Sequence, residues 1–306
     1  MQQHQDTRPP LGLTSTPWSF PVPPVDADLD LAITLARSAA RAILALKSTA
    51  RATSTQKADD SPVTAADLAA DAIIRGGLAS TGDVVVTEES WGDQPLPATG
   101  RVWIVDPIDG TSDFVAGRDD YVVQIALVVD GTPRLGVVVQ PETGTLWWGR
   151  VNGDGVAHHC ECIGADGAHV RALSATTLLP ARPRVCVSVS HPSAVVDAIA
   201  ADLGADTLGI GSVGLKIGAI VDGRADAYLT GSRHIKVWDT AAPWAVCVAA
   251  GGVMTSLSGR PLRYDGPIVH DDGVAALAPA ALSWRPRLDE ALLRFQTRAS
   301  GSTSST

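Results

Sequence analysis

Two textures alternate along the chain. From Asp28 to about Ala52, LDLAITLARSAARAILAL repeats apolar residues at helical spacing with Arg and Lys between them, which predicts an amphipathic helix. A second helix is expected after Pro62, where VTAADLAADAIIRGGL sets Asp67 and Asp71 one turn apart. The pattern then shifts to short apolar runs: VVVTEES (84–90), VWIVD (102–106), YVVQIALVVD (121–130), RLGVVVQP (134–141) and TLWWGRV (145–151). Turn pairs at Asp130-Gly131 and Thr143-Gly144 punctuate them and predict an antiparallel meander. Beyond about residue 180 the elements alternate: VCVSVS (185–190) as a strand, 192–203 and 213–223 as helices, ADAYL (225–229) as a strand, and 239–252 as a helix with a double-glycine stop. This order predicts a layered α/β sandwich of two lobes, an N-terminal α+β lobe over 26–180 carrying a metal site and a C-terminal α/β lobe over 181–298. No internal repeat is visible.

Composition narrows the picture. A chain of 306 residues with 45% apolar and 19% charged residues can bury a sizeable core. Residues 1–25 are rich in Pro and polar groups and are expected to be a disordered extension without a signal-peptide stretch, and 299–306 a frayed tail. No run approaches the roughly 18–20 apolar residues that a membrane helix needs, so a cytoplasmic protein without a membrane partner is expected. Four cysteines (Cys160, Cys162, Cys186, Cys247) do not make a disulfide framework. The net charge of −9 argues against a nucleic-acid polymer as partner. A small phosphorylated molecule remains possible if metal ions supply the positive field.

Three acidic clusters follow apolar runs or open helices: Glu88-Glu89, Asp106 with Asp109, and Asp239. Carboxylates gathered in one pocket raise each other's pKa unless a cation neutralises them, and hard oxygen ligands of this kind suit Mg²⁺. In VWIVDPIDGTSDF (102–114), Pro107 fixes the backbone so that Asp106, Asp109 and the Ile108 carbonyl can converge. Gly110 lets the backbone approach a ligand, and a helical turn opened by Thr111 would turn amides toward a phosphate.

At these residues the chain resembles the inositol monophosphatase superfamily of Mg²⁺-dependent, lithium-sensitive phosphatases. The likeness spans about residues 28–290 through KADDSPVTAADLAAD (57–71), TEES (87–90), WIVDPIDGTSDF (103–114) and VWDTAAPWAVCVAAGG (237–252). It implies the five-layered αβαβα sandwich of the inositol monophosphatase and fructose-1,6-bisphosphatase type. It also implies metal ligation of two or three Mg²⁺ ions by Glu88, Asp106, the Ile108 carbonyl, Asp109 and Asp239. Asp67, Thr111 and Glu88 would then act on the attacking water. Thr87 departs from the glycine that many members place before the acid pair.

The form GTSDF, with Asp113, is similar to the 3′(2′),5′-bisphosphate nucleotidase branch more than to the GTTNF of inositol monophosphatases. SVSHPS (188–193) and SVGLKIGAIVDGRADAYL (212–229) followed by RHIKVWDTAAP (233–243) are similar to that branch too. By this resemblance Ser188, His191, Ser212 and Lys216 would contact substrate, together with Gly110, Thr111 and Asp239. Val213 and Gly214 carry no readable chemistry. The implied reaction releases phosphate from 3′-phosphoadenosine 5′-phosphate to give AMP. The alternatives are inositol phosphate, histidinol phosphate, a sugar bisphosphate or a nucleoside monophosphate as substrate, or a non-catalytic binding protein. A monomer or homodimer is expected.

Other patterns have plainer explanations. Gly209 to Gly214 matches GxGxxG but lacks a convincing preceding strand, so a glycine-rich lead into the helix bearing Lys216 is expected. His158-His159-Cys160-Glu161-Cys162 resembles a metal tract, yet neighbours on a strand face opposite ways, and a hairpin rim fits better than zinc. Trp147-Trp148 reads as sheet packing.

Overall fold

Small side chains begin the fold. In α1 (Val25–Ala52), Ala32, Ala36, Ala39 and Ile43 recur at helical spacing and are all fully buried, so the helix lies close against its neighbours. This computed structural model describes residues 25–52, 54–56, 62–153, 158–163, 170–172, 180, 182–189 and 192–301. The short strands β1 (Thr55–Gln56) and β2 (Pro62–Val63) pair antiparallel ahead of α2 (Ala65–Leu78). Of the extension expected over 1–25 and the tail expected over 299–306, residues 1–24 and 302–306 lie outside the described residues, whereas Val25 opens α1 and 299–301 end α7.

Seven strands follow: β3 (Val84–Thr87), β4 (Arg101–Asp109), β5 (Val122–Val129), β6 (Thr132–Val139), β7 (Leu146–Val151), β8 (His158–Ile163) and β9 (Val170–Ala172). They form one sheet in chain order, interrupted only by the five-residue helix α3 (Thr111–Val115) between β4 and β5. From β4 onward every pairing is antiparallel, as the turn spacing predicts. β3 is the exception to the meander. It pairs parallel with β4, because the loop after Thr87 carries the chain back to the same end of the sheet before Arg101. That reversal matters for the site: it delivers Glu88 beside the end of β4, where the Glu88 amide donates to the Val105 carbonyl at 3.2 Å.

The second half contains β10 (Arg184–Ser188), α4 (Ala194–Leu203), β11 (Asp206–Ile210), α5 (Val213–Val221), β12 (Ala227–Thr230), β13 (Ile235–Lys236), α6 (Val237–Ala249), β14 (Val253–Thr255), β15 (Val269–His270), β16 (Val274–Leu277) and α7 (Arg285–Gly301). A five-stranded mixed sheet runs in the order β11-β10-β12-β16-β14, and β13 pairs with β15 as a separate ribbon. The pattern of the sequence does not foresee β11, β14, β16 or α7. β11 also corrects one reason given for the glycine run: a strand does precede it, parallel to β10, and α5 follows.

Three cores stack the layers. α1 and α2 pack on one face of the seven-stranded sheet through Ala36, Ile74, Trp103 and Ile125. The other face meets α5 and α6, whose far sides meet the five-stranded sheet, through Val122, Trp147, Ile217, Val246 and Ala276. α4 and α7 cover the outer face with Ile199, Leu229, Trp284 and Leu288. The result is the αβαβα order. Trp147 and Trp148 alternate between the two sides of the sheet, which is the packing role expected of them. Among the described residues no helix is long and apolar enough to cross a membrane.

Candidate active site

A defect in the β4–β5 ladder brings two carboxylates together. Asp106 pairs with Gln124 and Asp109 with Val122, so β4 spends three steps where β5 spends two. Residues three apart on a regular strand face opposite ways; the extra residue of the bulge, at Pro107-Ile108, turns both acids to one side. Gly110 then takes φ 99°, where a side chain would strain the turn and its Cβ would lie 2.9 Å from the Asp120 carbonyl. Carboxylate oxygens of Asp106, Asp109 and Asp239 lie within 4.8 Å of one another.

The remaining acids come from helix starts. Asp67 is the third residue of α2 and closes a capping box: its Oδ2 accepts from the Thr64 amide at 2.8 Å and from the Thr64 hydroxyl at 2.6 Å. Asp239 holds the same position in α6, where Oδ2 accepts from the Lys236 amide at 2.7 Å. One oxygen of each acid is thus anchored by its own helix. Asp67 Oδ1 lies 2.9 Å from the Thr111 hydroxyl, which is equally close to the Ile108 carbonyl and can donate its single proton to either.

A cleft of about 580 Å³ is lined by Glu88, Asp106, Asp109, Gly110, Thr111 and Asp239, among others, while Asp67 is buried outside this lining and linked to it through Thr111. The same lining includes Lys216 from α5, Ser188 from the end of β10, and Tyr228 and Thr230 from β12, all contributed by the second half of the chain. Lys216 is almost wholly buried, donates to the Gly211 carbonyl, and sits 5.0 Å from the Tyr228 ring centre. Beside Asp239, Thr240 meets the buried His270 Nε2 at 2.9 Å and accepts from the Tyr264 hydroxyl at 3.2 Å.

Electrostatics follow from burial. Asp109 is raised to about 6, first by desolvation, against the opposing pull of Lys216 and the amides of Gly214 and Val213. Desolvation, then the charges of Asp109 and Glu88, push Asp239 well above the usual carboxylate range. Desolvation also raises Asp67 and lowers Lys216, whose charge Asp109 helps to hold. Three clustered carboxylates, two of them (Asp109 and Asp239) with raised affinity for protons, form a donor set that a hard divalent cation fits, since ligation would offset the repulsion and displace those protons.

Most residues named from the sequence converge here, with differences. Glu88 lines the cleft outside the three-acid cluster. Ser212, read as a substrate contact, is instead the buried cap of α5: its hydroxyl accepts from the Leu215 amide at 3.1 Å, and it does not line the cleft. His191 lies outside the described residues. Gly214, read as mute, donates its amide to Asp109 Oδ2 at 3.1 Å, and a Cβ there would come within 2.8 Å of Val122 and Val138 side-chain atoms. Asp113 is buried and accepts from Arg118 at 2.7 Å, which makes it a brace of the turn. Sequence reading also passed over Gln124 and Lys236. A lone amide inside YVVQIALVVD was the available signal for Gln124. Lys236 lines the cleft, and its ammonium lies 5.4 Å from the Trp238 ring centre.

Comparison with known proteins agrees with this geometry. The profile of the inositol monophosphatase family matches residues 25–296. The chain is 37% identical over 242 residues to the 3′(2′),5′-bisphosphate nucleotidase CysQ of Escherichia coli (strain K12), covering 77% of this chain and 93% of that one. It is 35% identical over 190 residues to the 3′-phosphoadenosine 5′-phosphate phosphatase of Mycobacterium bovis, covering 60% and 64%. The crystal structure of CysQ from Bacteroides thetaiotaomicron superposes with a TM-score of 0.65 at 25% identity, covering 83% of this chain and 97% of that one.

Proposed function

The chain belongs to the inositol monophosphatase family, and we propose that this metal-dependent phosphomonoesterase removes the 3′-phosphate of 3′-phosphoadenosine 5′-phosphate to give AMP. The observation that carries the chemistry is the cluster of three carboxylates within 4.8 Å, in one cleft with Lys216. The substrate reading is supported by the similarity to nucleotidases that bear this activity in their names.

Asp106, Asp109 and Asp239, with Glu88 and the Ile108 carbonyl beside them, would hold two or three Mg²⁺ ions. Bound there, the ions would lower the pKa of a water and neutralise charge on the phosphoryl and leaving oxygens. Thr111, donating to Asp67, keeps a hydroxyl lone pair available to orient that water. Asp67, raised by burial, is suited to receive its proton through Thr111. Gly110 and Thr111 would present the turn to the ester phosphate, while Lys216 and Ser188 would meet substrate from the second half of the chain. A role for His191 beside the nucleotide remains part of this proposal.

Phosphate release from a substrate panel with Mg²⁺ tests it. Hydrolysis of 3′-phosphoadenosine 5′-phosphate in preference to inositol 1-phosphate, histidinol phosphate and sugar bisphosphates is expected. Preference for inositol 1-phosphate overturns the substrate assignment. Absence of any Mg²⁺-stimulated hydrolysis overturns the mechanism.

A further inference from the structure

β5 is apolar along almost its whole length, yet it carries one fully buried amide, Gln124, opposite Asp106 in the ladder. Gln124 Nε2 donates to Asp109 Oδ2 at 2.6 Å, and the Gly214 amide donates to the same oxygen at 3.1 Å. The other end of the amide gains nothing: among the described residues Gln124 Oε1 has no hydrogen-bond partner. An unsatisfied buried acceptor destabilises a fold, and a leucine of similar volume would avoid that cost. Core packing therefore does not account for a glutamine at this position; its bond to Asp109 does.

We infer that Gln124 is a positioning residue that confines Asp109 to ligation through one oxygen and thereby sets the preference of the site for Mg²⁺ over Ca²⁺. The inference rests on the reading of Asp109 as a metal ligand. Oδ2 is engaged by two N–H donors, and the Val213 amide also acts on this carboxylate, so Oδ1 is the less engaged oxygen toward a cation. Mg²⁺ sits in a tight octahedron and binds few carboxylates, whereas Ca²⁺ accepts both oxygens of a carboxylate in a larger, looser shell. A carboxylate tied at one oxygen remains a full ligand for the smaller ion and becomes a reduced one for the larger. The restraint also crosses the bulge: Gln124 stands on the regular part of the ladder and grips the residue beyond the irregularity.

Calorimetric titration of metal-free wild type, Gln124→Leu and Gln124→Glu with Mg²⁺ alone and Ca²⁺ alone, beside thermal unfolding without metal, tests this. Gln124→Leu is expected to weaken Mg²⁺ binding roughly 10–100-fold, as loss of a partner behind a ligand commonly does. It should weaken Ca²⁺ binding less, so the ratio of the two affinities narrows. Gln124→Glu, which puts an acceptor where the donor was, should weaken Mg²⁺ at least as far. Unchanged affinities in Gln124→Leu, or equal losses for both ions with a lower Tm, overturn the inference. A wild type that binds no Mg²⁺ removes the metal-ligand reading together with it. A wild type that binds Mg²⁺ beside a leucine variant that binds it equally well removes the inference alone.

Discussion

The seven-stranded sheet reaches the cleft with carboxylates, whereas the five-stranded sheet reaches it with Lys216, Ser188, Tyr228 and Thr230. The first group is restrained oxygen by oxygen: the β4 bulge orients Asp106 and Asp109, while Gln124 and Gly214 hold Asp109. The second group is gathered from strand ends and from α5, and no comparable bulge arranges it. Asp239 belongs to neither sheet; it enters from α6, the helix packed between them. Charge of both signs thus lines the cleft: the acids, with Lys216 close to Asp109 and Lys236 at the start of the helix that carries Asp239. Such a lining suits a ligand that carries both metal and phosphate charge.

Removing one acid should break this arrangement most severely. Asp106→Asn keeps the size of the side chain and discards the charge of an expected shared ligand. Turnover should fall by roughly 10³-fold or more, about 4 kcal/mol of transition-state stabilisation. The fold should survive, because the variant relieves repulsion in the metal-free cluster. Phosphate-release kinetics together with circular dichroism check both halves. Retention of more than a tenth of the activity would remove Asp106 from the metal set.

The next effect concerns protons. His270, buried against Thr240 beside Asp239, is lowered to about 4, first by desolvation. Between pH 6.5 and 4 the unfolded chain therefore binds the imidazole proton while the folded chain does not. Stability should be intact above pH 6.5 and decline toward pH 4, by at most about 3 kcal/mol. Asp109 has the opposite sign. Raised to about 6, it takes a proton in the folded state first, so its contribution is present at low pH and lost as pH rises from about 4 to 6. In denaturant titrations of metal-free protein these two slopes oppose each other over about pH 4 to 6 and largely cancel, with Asp239 and Asp67, also raised by burial, adding to the Asp109 side. Saturating Mg²⁺ should silence the Asp109 slope and leave that of His270, and His270→Gln should silence the other. A pH profile unaffected by metal would place the Asp109 carboxylate outside the metal site.

Lys216→Met tests the second group. Less positive charge beside Asp109 and Asp239 should lower the Mg²⁺ concentration needed for half-saturation. The loss of a counter-charge for phosphate should cut kcat/KM by roughly 10–100-fold, on the scale of a charge-assisted hydrogen bond. Weaker Mg²⁺ dependence and poorer substrate use together would assign Lys216 to phosphate. Weaker metal binding instead would make it part of the framework around Gly211.

The two groups were unequally legible in the sequence. DPIDG, TEES and VWDTAAP are short segments in which an apolar run meets acids, and each acid lies within a few residues of the turn that aims it. Local pattern marks them as candidates, and the resemblance of the motifs taken in order gives them their expected roles. The residues from the second half depend on which strands become neighbours, and their strands are weakly marked: β14 has only three residues, β11 (DTLGI) is mostly polar or Gly, and β16 (VAAL) lies in an alanine-rich run. Ser212 shows the cost: a serine before a helix is a cap or a contact depending on which way the helix start faces, and only the packing of α5 on β5 and β6 decides that. Gln124 was visible as a polar residue in an apolar strand, but its partner lies 15 positions back, beyond a bulge that no sequence pattern marks. The layer order was legible because it follows from runs of helix, sheet and alternating elements, which survive errors at single strands.

The smallest expected effect discriminates best between the two groups. Ser188 stands at the end of β10, half-buried, in the cleft lining with Lys216. A hydroxyl there would give substrate one neutral hydrogen bond of about 0.5–1.5 kcal/mol, with equal strength before and during phosphoryl transfer. Ser188→Ala should therefore raise KM roughly 2–10-fold and leave kcat unchanged, the signature of uniform binding. The Mg²⁺ concentration for half-saturation should also stay where it was, because no acid of the first group depends on this side chain. A fall in kcat at saturating substrate, with KM unmoved, would mean that the five-stranded sheet also acts on the reacting atoms. The proposed separation of chemistry from recognition between the two sheets would then be wrong, and Ser188 would join Asp67 and Thr111 among the proposed catalytic residues.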